Sequence, residues 1–195
     1  MVEHNGIFSA TTELAKKNKC FFLDRDGIIN VDHGYVFRSD NFDFIDGIFE
    51  LVDEAIQNGY LIIIITNQAG IGRGYYSEKD FYILTEWMCH QFLNKGITIS
   101  KVYHCSTHPL KGLGSLKVPD PRRKPNPGMI LEAQKDFNID LSMSLFLGDK
   151  VTDMQAGLAA GVGKNIWLKA KNSPNFGNKD NFIEVDSLAS VANFF

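Results

Sequence analysis

Asp24 and Asp26 stand two residues apart at the end of an apolar run, in Cys20-Phe-Phe-Leu-Asp-Arg-Asp-Gly-Ile-Ile-Asn30. A strand that delivers two carboxylates into a glycine turn sets up phosphoryl-transfer chemistry. One carboxylate can attack phosphorus, its neighbour can move a proton, and together they can help hold a divalent cation. The plain alternative is a surface turn, because Asp and Gly are ordinary turn residues. Three further segments decide between the two.

Thr66-Asn67-Gln68-Ala69-Gly70-Ile71-Gly72-Arg73-Gly74 presents a hydroxyl and exposed backbone amides suited to phosphate oxygens. It is not a dinucleotide fingerprint, because Tyr75 breaks the G-x-G-x-x-G spacing. Arg122-Arg123-Lys124-Pro125-Asn126-Pro127 is a basic loop stiffened by prolines, and Lys124 can neutralise charge on a transferring phosphoryl group. Gly148-Asp149-Lys150-Val151-Thr152-Asp153 adds two carboxylates at i and i+4. With Asp24 these supply the hard oxygen ligands that magnesium prefers, although Asp149 could simply cap a helix.

The elements that must position these groups are legible from periodicity. Lys19 to Leu23 and the β-branched Tyr60 to Ile65 read as strands covered on both faces. Ile45, Ile48, Leu51, Val52 and Ile56 recur at helical spacing up to Gly59. Phe81, Leu84, Met88 and Phe92 mark a second helix. Lys101 to His104, Ser144 to Leu147, Asn165 to Leu168 and Phe182 to Val185 read as further strands. Pro127 to Phe137 and Thr152 to Ala160 read as helices, and Asp186 is placed to cap a terminal one. This alternation predicts an α/β fold, a doubly wound, Rossmann-like parallel sheet with helices on both faces. Ligands bind such sheets at the strands' carboxyl ends, where Asp24, Thr66 and Asp149 fall.

The chain of 195 residues fits one domain over 18–195, with 1–17 as a loosely attached lead-in. A net charge of −3 argues against a polyanion partner, and no apolar run is long enough to span a bilayer. The first residues lack a signal-peptide pattern. Cys20, Cys89 and Cys105 have no disulfide-framework spacing. A cytoplasmic, monomeric protein is expected.

Asp-x-Asp-Gly, a strand-end Thr, a Lys before Pro and Gly-Asp-x-x-x-Asp, in that order, resemble the haloacid dehalogenase-like phosphohydrolases over about Cys20 to Leu168. The resemblance implies Asp24 as nucleophile, forming an aspartyl-phosphate, and Asp26 as acid to the leaving oxygen and then base to water. It implies Thr66 and Lys124 as ligands of the transferring phosphate. Magnesium would lie on Asp24, Asp149 and the Asp26 backbone carbonyl, with Asp153 orienting Lys124 or a metal-bound water. The stretch between Asp24 and Thr66 is too short for a large cap domain, so a capless fold follows.

Asp32-His33-Gly34-Tyr35-Val36, Thr66 to Ile71, Arg123-Lys124-Pro125 and Gly148-Asp149-Lys150 look like the D,D-heptose 1,7-bisphosphate phosphatases. That resemblance implies removal of the C7 phosphate in nucleotide-heptose and lipopolysaccharide core synthesis. It implies sugar-bisphosphate contacts from Asp32, His33, Gly34, Tyr35, Asn67, Gln68, Arg123 and Lys150. Relatives carry a zinc loop, Cys-x-His and then Cys-x-Cys; here the positions are Cys105, Thr107, Asp120 and Arg122. Only Cys105 keeps a ligand, so zinc is not expected, although His104 and His108 lie nearby for a makeshift site. Histidinol-phosphate phosphatase, DNA 3′-phosphatase and a phospho-acceptor signalling module are the rival functions. The acidic balance opposes the second, and Asp26 beside Asp24 opposes a long-lived phospho-state.

Overall fold

The computed structural model describes residues 17–169 and 182–195, so the lead-in expected over 1–17 lies outside the described residues except for Lys17. Six strands form one sheet in the order β3-β2-β1-β4-β5-β6: β1 (Lys19–Leu23), β2 (Tyr60–Asn67), β3 (Lys101–Cys105), β4 (Leu145–Gly148), β5 (Lys164–Leu168) and β6 (Ile183–Val185). Every adjacent pair is parallel. The order reverses between β1 and β4, which is where such a sheet opens a crevice at its carboxyl edge.

The two faces of the sheet are separate cores, as a period of two requires. Phe21 and Leu23 of β1 and Ile62 and Ile64 of β2 face one side. There they meet α1 (Ile48–Gln57) and α3 (Glu78–Leu93) through Leu51, Val52, Leu84, Met88 and Phe92. Cys20, Phe22, Ile63 and Ile65 face the other side and pack on α4 (Gly128–Phe137) and α5 (Val151–Ala160) through Met129, Ile130, Ala133 and Ala156. The short α2 (Ala69–Gly72) follows β2 directly. Between β1 and β2 the chain holds a 3₁₀ turn (Ser39–Asn41) and α1, and no cap domain.

Two local expectations are corrected. Ile45 is outside α1, because its N–H is spent on the carbonyl of Ile29 at 3.0 Å, beside the Asn30–Phe44 bridge. Asp186 caps no α-helix. The chain ends in a 3₁₀ helix, Ala189–Phe194, whose N-cap is Leu188. Leu188 and Val191 are both buried, and their three-residue spacing suits the tighter helix.

Candidate active site

The hydrogen-bond ladder itself places the nucleophile candidate. Asp24 follows β1, and its N–H donates to Leu147 O of β4 at 3.0 Å, so its side chain rises at the switch point. Thr66 is the penultimate residue of β2, Asp149 follows β4, and Asp153 sits in the first turn of α5. Asp24, Thr66, Lys124 and Asp153 are all buried. The four sequence segments meet at one point.

Lys124 joins them. Its Nζ lies 2.8 Å from Asp24 Oδ1 and 2.6 Å from Asp153 Oδ1, and it donates to Ile65 O at 2.8 Å. The Ile65 carbonyl accepts one of its protons and the two carboxylates balance its charge, which is what a buried ammonium needs. Burial opposes the charge on Lys124, but Asp153 and Asp24 outweigh it and hold the amine above its ordinary range. Burial raises the Asp24 carboxyl, and Lys124 offsets only part of that. The loop carrying Lys124 is clamped by Asn67, whose Nδ2 donates to Lys124 O at 3.0 Å and whose Oδ1 accepts Lys124 N–H at 3.1 Å.

Carboxylate oxygens of Asp24, Asp149 and Asp153 lie within 4.8 Å of one another, the one such acidic or ligating cluster among the described residues. Asp153 is already engaged, with Oδ2 accepting Lys150 N–H at 3.0 Å and Oδ1 facing Lys124. Asp149 precedes the helix cap, Lys150, and its Oδ1 is buried without a hydrogen-bond partner. Burial and then the neighbouring Asp24 charge push its carboxyl up to about 7. Crowded acidic oxygens, with Asp149 Oδ1 and Asp153 Oδ1 both lacking a hydrogen-bond donor, fit a small hard cation such as magnesium.

Asp26 is turned aside from that cluster. Its carboxylate accepts from Arg25 Nη2 at 2.8 and 2.9 Å, from Asn30 Nδ2 at 3.1 Å and from Gln68 Nε2 at 3.2 Å. Arg25, at 1% exposure, also donates to Val36 O at 2.7 Å and so ties the turn to the following loop. Sequence reasoning passed over Arg25, Asn30 and Tyr76. Arg25 stood inside the motif as a spacer, and nothing local announced that it would be buried.

A pocket of about 310 Å³ opens beside Asp26, lined by Asp32, Gly34, Tyr35, Asn67, Gln68 and Lys150 among others. Lys150 Nζ pairs with Asp32 Oδ2 at 3.0 Å, and Asp32 Oδ1 accepts Gly34 N–H at 3.0 Å. Tyr35 takes a left-handed φ of 56° and its hydroxyl meets the Arg73 guanidinium. Arg123 is anchored to Thr107 O at 3.0 Å and is not among the pocket-lining residues. His33 pairs with Asp43 at 2.7 Å on the exposed side of the loop. Six of the eight expected sugar contacts thus line one cavity, and His33 and Arg123 do not.

The zinc-loop positions are joined by hydrogen bonds. Cys105 Sγ lies 3.3 Å from Thr107 Oγ1, which donates to Asp120 Oδ2 at 3.4 Å, while Asp120 Oδ1 accepts Arg122 N–H at 2.8 Å. His104 faces Glu78 at 3.0 Å, and His108 Nδ1 accepts the N–H groups of Leu110 and Lys111. The nearby histidines therefore point to separate partners. A tetrahedral ion needs its ligands to converge, and these residues do not fit one.

The chain matches the family model described as polynucleotide kinase 3 phosphatase over residues 19–184. It is 58% identical over 152 residues to the D-glycero-alpha-D-manno-heptose-1,7-bisphosphate 7-phosphatase of Burkholderia mallei, covering 78% of this chain and 80% of that protein. It is 42% identical over 180 residues to the D-glycero-beta-D-manno-heptose-1,7-bisphosphate 7-phosphatase of Escherichia coli K12, covering 91% and 94%. The solved D,D-heptose 1,7-bisphosphate phosphatase of B. bronchiseptica, complexed with magnesium and phosphate, shares the fold at a TM-score of 0.76 and 24% identity, over 90% of this chain and 96% of that one. The chain belongs to the haloacid dehalogenase-like phosphatases and, among them, to the family of the D-glycero-D-manno-heptose-1,7-bisphosphate 7-phosphatases.

Proposed function

We propose that this chain hydrolyses the C7 phosphate of D-glycero-D-manno-heptose 1,7-bisphosphate and leaves the anomeric phosphate in place. The observation that carries this reading is the buried Lys124 ammonium held between Asp24 and Asp153, together with a neighbouring pocket lined by Asp26 and Lys150. One cation serves the phosphate that leaves, and a second is available to the phosphate that stays.

Asp24, Asp149 and the Asp26 backbone carbonyl would hold magnesium, which supplies positive charge to the transferring phosphoryl oxygens. Thr66 and Lys124 bind those oxygens. An Asp24 carboxylate oxygen attacks phosphorus, the phosphorus–O7 bond breaks, and Asp26 gives its proton to the O7 leaving group. Asp26 then takes a proton from water, which attacks the aspartyl-phosphate at phosphorus and frees both Asp24 and inorganic phosphate. Asp153 keeps Lys124 in register. Asp32, Gly34, Tyr35, Asn67, Gln68 and Lys150 surround the sugar, with Arg123 and His33 at its margin.

We read residues 18–195 as a single catalytic domain, monomeric and cytoplasmic, that supplies heptose 1-phosphate for a surface glycan such as lipopolysaccharide core. Among the described residues no helix is long and apolar enough to cross a membrane, and the three cysteines are free. A second reading, removal of a 3′-phosphate from a polynucleotide, is favoured by the matched family model alone.

The test is phosphate release, with magnesium, from each anomer of the heptose bisphosphate, histidinol phosphate and a 3′-phosphorylated oligonucleotide. The expected result is a preference for one heptose bisphosphate of about a hundredfold in kcat/KM, or about 2.7 kcal/mol of transition-state binding. A preference for the oligonucleotide would establish the second reading, and flat turnover across the panel would contradict the heptose assignment.

A further inference from the structure

In the wall of the pocket, Tyr76 and Gln68 form a largely buried relay. Tyr76 Oη donates to Gln68 Oε1 at 2.5 Å, and Gln68 Nε2 donates to Thr66 Oγ1 at 2.8 Å and to Asp26 Oδ2 at 3.2 Å. Gln68 is 1% exposed and Tyr76 7%. The direction of the relay follows from chemistry. Both Asp26 oxygens accept in this arrangement, Oδ1 from Arg25 and Asn30 and Oδ2 from Arg25 and Gln68, so the amide nitrogen faces the carboxyl. The amide oxygen then points the other way and needs a donor, which the Tyr76 phenol supplies. Burial raises that phenol to about 12, so it keeps its proton throughout the neutral range.

The tyrosine is fixed in turn. Its ring stacks on Phe37 at 5.0 Å and 8°, and lies so close to Gly70 that a Cβ there would stand 2.1 Å from Tyr76 Cε1. Gly70 is thus a glycine for the sake of Tyr76. A primary amide held at three points cannot turn over, whereas one with a free oxygen can rotate and present a lone pair to a carboxylate.

We infer that Tyr76, acting through Gln68, is a positioning residue for Asp26 in its delivery of a proton to the leaving oxygen. The inference rests on the reading of Asp26 as the acid–base group and extends it to two residues that never touch phosphorus. It gives Gln68 a role beyond lining the sugar pocket.

The experiment compares Tyr76→Phe with the unaltered protein on two kinds of ester. One is a primary alkyl phosphate that the unaltered protein turns over, the heptose bisphosphate or another sugar phosphate, whose alkoxide needs a proton to leave. The other is p-nitrophenyl phosphate, whose phenolate leaves without one. A general acid contributes about a hundredfold or more, and its misplacement should lower kcat on the alkyl ester about tenfold. KM and the aryl ester rate should stay within about twofold, with melting temperature unchanged within a few degrees. Gln68→Ala, which leaves the Tyr76 ring in its packing but also removes a pocket-lining amide bonded to Thr66, should lower kcat on the alkyl ester at least as far as Tyr76→Phe does. Equal losses on both esters, or a rise in KM with kcat intact, would overturn the inference. Should the heptose bisphosphate itself prove inert with the unaltered protein, the substrate assignment fails while the leaving-group comparison still reads the relay.

Discussion

Gly27 and Asp149 share a space that only a hydrogen atom leaves open. Gly27 has a left-handed φ of +97°, and a Cβ there would stand 2.2 Å from Asp149 Oδ2. The glycine of the Asp-Arg-Asp-Gly turn is therefore needed for the carboxylate at the end of another strand, as well as for the turn. Gly27→Ala combines about 1–2 kcal/mol of backbone strain with displacement of a proposed magnesium ligand. We expect magnesium affinity to fall by about tenfold or more, measured by calorimetric titration of the metal alone. Unaltered affinity would show that Asp149 is free to bind elsewhere.

Asp24→Asn tests the nucleophile. The amide keeps the side chain's shape, and Lys124 retains Asp153 at 2.6 Å, so the fold should survive. Turnover should drop by about three decades or more, since an amide does not form the acyl-phosphate. Circular dichroism and phosphate release on the same sample check both halves. Activity within tenfold of the parent would remove Asp24 from the role.

Arg123 lies outside the pocket lining, tethered to Thr107 O. If it reaches the phosphate that stays, Arg123→Ala should cost about ten- to a hundredfold in kcat/KM on the bisphosphate, the worth of one charge-assisted contact. A simple monophosphate should lose little. Equal losses on the two substrates would make Arg123 a support for its loop instead.

The fold and the gathering of the candidate residues at one sheet edge were legible because both rest on local pattern. Phe21 and Leu23 alternate with Cys20 and Phe22, and Ile62 and Ile64 with Ile63 and Ile65, which gives a sheet with two covered faces. Asp24, Thr66 and Asp149 each follow such a run, and parallel strands bring their ends to one edge. What escaped was long-range. The Tyr76–Gln68 bond and the burial of Arg25 depend on how α2 and the loop to Val36 fold over the site, and no spacing encodes that. Ile45 and Asp186 misled for a related reason. Their residue types suited a helix, but a bridge to Ile29 took the N–H of one, and the packing of Leu188 and Val191 set the geometry near the other.

His104 offers a pH-dependent check on the loop at the zinc-family positions. Burial pulls its imidazole below the ordinary histidine range, with Glu78 only partly opposing. The unfolded chain takes up a proton near pH 6.5 that the folded protein resists, so the folded state loses stability as pH falls through about 6.5. The decline ends once the folded imidazole is itself protonated, and its slope cannot exceed about 1.4 kcal/mol per pH unit for one site. Urea denaturation at a series of pH values should show a shallower fall for His104→Gln than for the parent. Parallel curves would assign the decline to other groups.

The most direct measurement is ³¹P NMR of the heptose 1,7-bisphosphate during hydrolysis by the magnesium-loaded protein. Removal of the C7 phosphate predicts that the C7 ester resonance decays into inorganic phosphate while the anomeric phosphate signal persists at full intensity. Loss of the anomeric signal first, or of both together, would contradict the account.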